Sequence, residues 1–129
     1  MPKSNDELEL TFRPSGFGLT IDGAGSAILP GSKGYVRVPY PCNIKGWTIL
    51  GDQAGSIVVD VKKCAYAGFP VTASIAGAEK PTLVAAQKGQ LLTLTLWTIA
   101  LLAGDIIEFV VDSATTVTRV NLAVHVEKT

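Results

Sequence analysis

Val, Ile and Thr supply 34 of the 129 residues, whereas Glu and Gln together supply 8. A side chain branched at Cβ is cramped against the preceding turn of a helix but packs well on a pleated surface. A chain with this balance therefore favours strands. Thirteen Gly and seven Pro then cut it into short pieces, because these residues supply the backbone angles that turns need. The first conclusion is an all-β fold. One domain is the right size for this length, and it can bury roughly two-thirds of its unfolded surface without staples.

Alternation of apolar and polar residues places the strands. Leu8, Leu10 and Phe12 alternate with Glu9, Thr11 and Arg13, up to Pro14 and Gly16 as expected stops. Gly18–Ile21 is the next candidate, ended by the turn-forming pair Asp22-Gly23. Gly23–Gly34, with four glycines and Pro30, reads mostly as loop. Tyr35–Val38 reads as a strand halted by Pro39 and Pro41. Ile44–Leu50 and Ser56–Lys62, joined by Gly51-Asp52-Gln53-Ala54-Gly55, read as a hairpin. Cys64–Gly89 has no clear period and reads as a long crossing loop, with one helical turn around Ser74–Ala78. Gln90–Trp97, Asp105–Val111 and Val117–Val126 complete the set, the last pointing Val120, Leu122, Val124 and Val126 inward. About eight short strands with one long crossover predict an antiparallel β-sandwich of the jelly-roll type, with an immunoglobulin-like sandwich as the alternative. The division expected is an N-terminal arm over residues 1–15 and a jelly-roll domain over 16–129.

Charge removes several functions. Eleven basic and eleven acidic residues cancel, and charged residues are only 17% against 47% apolar. Such a chain offers no basic field for nucleic acid or an anionic membrane surface. It favours self-association or docking instead. Gly89–Gly104 is uncharged but is 16 residues long, short of the roughly 20 that a spanning helix requires. Asp6, Glu7 and Glu9 stand where a secretory signal would be apolar. Cys42 and Cys64 are therefore expected to be free thiols.

Catalytic patterns fail on spacing. Ser32 separates Gly31 from Lys33, which breaks a phosphate loop, and Ile28 stands where a dinucleotide loop needs glycine. His125, the only histidine, could be joined on paper to Asp105 or Asp112, but no serine is flagged as a nucleophile. The acidic pairs Asp52/Asp60 and Asp105/Glu108 read as solvated strand edges. No enzyme activity, cofactor or metal is expected. Trp47, Trp97, Tyr35, Tyr40, Tyr66 and Phe69 read as packing or as a sugar-stacking platform. Within them Tyr66-Ala67-Gly68-Phe69-Pro70 stands apart as an aromatic loop suited to a partner contact.

Some segments also resemble a known family. Ile21-Asp22-Gly23-Ala24-Gly25-Ser26-Ala27-Ile28, Pro39-Tyr40-Pro41-Cys42-Asn43-Ile44 and Gly51-Asp52-Gln53-Ala54-Gly55-Ser56-Ile57-Val58-Val59-Asp60 are similar to a domain recurring in virion proteins of tailed bacteriophages. Glu79-Lys80-Pro81-Thr82, Leu96-Trp97-Thr98, Ala103-Gly104-Asp105 and the pieces Val111-Asp112-Ser113 and Thr118-Arg119-Val120 extend the likeness over roughly residues 18–129. The resemblance implies a small jelly roll acting as a capsid cement or decoration protein: a homotrimer bound to the major capsid protein on the outer surface of a virion assembled in the host cytoplasm. A tail-fibre or tail-tip module that binds a receptor glycan is the alternative. It brings no catalytic or ligand residues with it. The contact residues expected are Leu8, Leu10 and Phe12 of the arm, together with Tyr66 and Phe69.

Overall fold

The computed structural model of the chain describes residues 14–129. Eight strands follow in order: β1 (Pro14–Asp22), β2 (Gly31–Arg37), β3 (Cys42–Cys64), β4 (Ala73–Ser74), β5 (Thr82–Leu91), β6 (Ala100–Leu101), β7 (Ile106–Thr115) and β8 (Arg119–Lys128). A single 3-10 turn covers Tyr66–Gly68. Every pairing is antiparallel, and the main path through the sheet is β1-β8-β3-β7-β2, with β4, β5 and β6 also on β3. The all-β antiparallel sandwich read from the sequence is the fold observed.

The strands are organised by β3, which is 23 residues long. Its first half pairs with β8, from Cys42↔Lys128 to Gly51↔Val120. Its second half pairs with β7, from Ser56↔Thr115 to Cys64↔Ile106. β1 lines β8 and β2 lines β7 in the same way. Three long ribbons, β1 with β2, β7 with β8, and β3 itself, therefore lie side by side and bend across one crease. The inner faces then meet. Ile44, Ile49, Leu122 and Val124 from one half pack in a single core with Val59, Val61, Ile107 and Phe109 from the other.

The crease explains several departures from the sequence reading. Ile44–Leu50 and Ser56–Lys62 do not pair with each other; they are two arms of one strand, and Gly51–Gly55 is its bend. A Cβ on Gly55 would stand 2.8 Å from the Thr115 carbonyl oxygen and from a Val117 methyl, so the two ribbons touch there through bare backbone. Ala24, Ala85 and Thr116 are the non-glycine residues with positive φ among those described, and each sits where a ribbon turns or kinks. Side chains hold these angles in place. Gln53 Nε2 donates to the Thr116 carbonyl at 3.0 Å, and Ala85 N–H donates to Ser56 Oγ at 3.0 Å. Asp52 accepts from the Thr118 N–H, the Thr118 hydroxyl and the Arg119 N–H.

Other expectations shift for local reasons. Pro14 and Gly16 lie inside β1, while the strand candidate over residues 8–13 that they are expected to stop lies outside the described residues. Gly31–Gly34 belongs to β2, with a bulge between Ser32 and Gly34. The strand expected over Gln90–Trp97 ends at Leu91, and the helical turn forms at Tyr66–Gly68 instead of Ser74–Ala78. The alternation of β8 is as read: Val120, Leu122, Val124 and Val126 are all buried. Among the described residues no helix is long and apolar enough to cross a membrane.

Candidate functional site

Between β3 and β5 the chain runs as a strap, residues 65–81, across the outer face of the β3–β7–β2 half. That face carries acidic residues at its outward positions, and they clip the strap down. Ser74 Oγ donates to Asp60 Oδ1 at 2.6 Å, and Lys80 Nζ lies 3.9 Å from Asp60 Oδ2. Asp60 is 5% exposed, so this buried carboxylate has both a hydrogen-bond donor and a counter-charge, as burial of charge demands. Lys80 also reaches Asp112 Oδ2 at 2.7 Å, which holds its ammonium above the ordinary lysine range. Thr72 Oγ1 donates to Glu108 Oε1 at 2.5 Å. That bond, aided by the Ser32 hydroxyl, holds the Glu108 carboxyl below the usual range.

The strap displays what the clips do not use. Tyr66 is 78% exposed and Val71 79%. Phe69, ahead of a cis Pro70, meets Tyr35 of β2 edge-to-face with ring centroids 5.0 Å apart. Tyr35 stands opposite Glu108 in the β2–β7 register. The result is an outward aromatic surface fixed at its base by hydrogen bonds. Phe69 is therefore packed against Tyr35, a partner that strand periodicity did not reveal, while Tyr66 of the same strap stands open beside the 3-10 turn. Leu8, Leu10 and Phe12 lie outside the described residues.

The other aromatics separate from these. Trp47 and Trp97 are buried, and both indole N–H groups donate to the Glu79 carbonyl, at 3.1 and 3.0 Å. The Glu79 carboxylate accepts from the Leu96 N–H, the Thr95 hydroxyl and the Thr95 N–H, which lowers its pKa. Tyr40 bonds Ser15 and lies under Lys128 Nζ, 4.6 Å from the ring centre. No continuous six-ring platform exists. A second apolar surface, missed because Gln90–Trp97 reads as a strand, is the loop that exposes Leu92, Leu96, Ile99 and Leu102.

The candidate acid/base residues are each engaged elsewhere. Asp52 holds the crease, Asp60 and Glu108 hold the strap, and Asp105 accepts from the Leu102 N–H at 2.9 Å with Lys63 at 3.8 Å. His125 Nε2 lies 2.7 Å from Thr48 Oγ1. Among the described residues, no group of three His, Cys, Asp or Glu side chains gathers as a metal site requires. Cys42 and Cys64 are free, and burial raises the Cys42 thiol, with the nearby Asp105 charge adding to it.

No protein-family model and no curated protein sequence matches the chain. Among solved structures, one of infectious bursal disease virus Gx strain is similar with a TM-score of 0.38 and 13% identity, over 88% of this chain and 33% of that one. A serine protease of Aeromonas sobria is similar with a TM-score of 0.38 and 10% identity, over 94% of this chain and 29% of that one. The chain thus spans about a third or less of either neighbour.

Proposed function

We propose that this chain is a structural protein of a tailed-phage virion, a cement or decoration protein that self-associates as a homotrimer and binds the major capsid protein on the outer surface. The observation that supports it is the apolar exposure of the strap, where Phe69 packs on Tyr35 and Tyr66 and Val71 stand open. A monomer gains nothing by fixing such a surface outward, whereas a docking protein does. The likeness of residues 18–129 to phage virion domains points the same way. In this reading the acidic residues are structural and the chain performs no catalysis, consistent with each being bound to a neighbour. A zero formal charge suits contact with protein surfaces rather than with nucleic acid or a membrane.

Copy number in purified particles tests the proposal. Hundreds of copies per particle are expected for a cement protein. A handful would instead place it in the tail and favour the glycan-binding alternative, in which the exposed Tyr66 ring stacks on a sugar. Sedimentation of the free protein should give a trimer, and a stable monomer at micromolar concentration would count against self-association.

A further inference from the structure

The sandwich has two outer faces, and the strap crosses one of them. The other is formed by β1, β8, the first half of β3 and the end of β5. Thr20, Asn121, Ala123, Leu50 and Gln90 are exposed on it, alternating along their strands with buried core residues. Its polar groups are already tied to one another. Thr20 Oγ1 donates to Asn121 Oδ1 at 2.7 Å, Thr48 Oγ1 donates to Gln90 Oε1 at 3.2 Å, and the same hydroxyl lies 2.7 Å from His125 Nε2. Side chains held in this way lose little freedom when covered, and their hydrogen bonds survive the loss of water. Leu50 stands among them, 48% exposed.

The charges of this face lie toward its ends, and their order alternates. At the crease end Asp22, Arg119, Asp52 and Lys88 follow one another across β1, β8, β3 and β5, minus, plus, minus, plus. Asp22 is the register partner of Arg119, and Asp52 accepts from the Arg119 N–H. Lys88 is the register partner of Leu50, two residues from Asp52, a distance its long side chain spans. At the other end Glu127 on β8 precedes Lys45 on β3, minus then plus. Half a turn about an axis parallel to the strands, between β8 and β3, reverses both orders. β1 of one copy then faces β5 of the other, and β8 faces β3. Asp22 meets Lys88, Arg119 meets Asp52 and Glu127 meets Lys45, so each of these charges meets its opposite.

Two sheets that meet face to face keep their strands nearly aligned, which is the arrangement this rotation gives. We infer that two copies of the chain pack through this face about that two-fold axis. The inference rests on the self-association proposed above and adds a second contact to it, one that ties trimers to each other. Four strands spaced about 4.8 Å apart and roughly 26 Å long offer about 500 Å² per copy. A contact that covers about 1,000 Å² in all is at the low end for specific association. It therefore forms at high concentration in solution, and more readily where trimers are held side by side on a shell.

Light scattering on the full-length protein over a range of concentrations tests it. The mass should rise from three copies to six or more. Lys88→Glu and Asp22→Lys each set like charges opposite one another twice per contact, and each should raise the dissociation constant of that step about 10-fold. Mixing the two variants should restore the step, because each then meets the other's opposite charge. Asp22 also accepts from the Ala24 N–H at 2.8 Å; if Asp22→Lys fails to fold, Leu50→Asp takes its place and should weaken the step by at least as much. Variants that associate as readily as the wild type overturn the inference, and so does a mixture that stays apart. A mass fixed at three copies overturns it and leaves the trimer standing, a single copy overturns both, and a mass of two copies upholds this face and overturns the three-fold reading. Hydroxyl-radical oxidation of Leu50 should fall as the assembly grows. Protection of Leu50 already at the lowest concentration would mean that its own chain or its own trimer covers the face, which also overturns the inference.

Discussion

Gly55 shows what a single residue must do for this fold. Two ribbons cross the crease so closely that no Cβ fits between Gly55 and the Thr115 carbonyl. Gly55→Ala is expected to cost about 1–3 kcal/mol, the usual range for overpacking, with the loss read from urea unfolding. Phe109 is fully buried where the two halves meet, and Phe109→Ala should cost about 3–5 kcal/mol. The two thiols should differ as well. Cys42 is buried with its thiol pKa raised, so a thiol reagent should label the half-exposed Cys64 first. Intact mass without reductant should show both reduced; a loss of about two daltons would contradict this. At this scale the sequence was legible where periodicity governs, as in the inward residues of β8. It was silent on Asp52, whose purpose depends on meeting Thr118, 66 residues later.

Among the elements, β3 is where local pattern misleads. Two apolar runs around Gly-Asp-Gln-Ala-Gly look the same whether the chain reverses there or merely bends. The choice is settled by partners far along the chain, since β7 and β8 lie beside the two arms and leave no place for a hairpin. The loop after β5 misleads in the opposite direction: Leu92, Leu94 and Leu96 alternate with threonines, yet no neighbouring strand accepts them. The strap yields a prediction in pH. Glu108 has a lowered pKa because Thr72 and Ser32 donate to its carboxylate. A depressed carboxylate stabilises fully above its unfolded value, about 4.3 for glutamate, and the effect is lost as pH falls through the folded value. Proteolysis near Tyr66–Val71 should therefore accelerate below about pH 4. Glu108→Gln should remove that acceleration, and an unchanged pH profile in the variant would refute the clip.

For the whole molecule the governing fact is distance along the chain. Cys42 pairs with Lys128, and Pro14 with Glu127, so most contacts wait on the closure of long loops. Folding in the millisecond-to-second range is expected, measurable by stopped-flow fluorescence of Trp47 and Trp97, whose indoles enter the core together. A microsecond phase carrying the full amplitude would contradict it. The same pairing has a further consequence. Pro14 and Glu127 face each other across a ladder, a separation of about 5 Å between Cα atoms. The described chain therefore enters and leaves at one doorway. Spliced between two residues of a host protein's surface loop, it would ask for a gap no wider than a hairpin and leave the host's own path undisturbed, which is the geometry that makes a module portable.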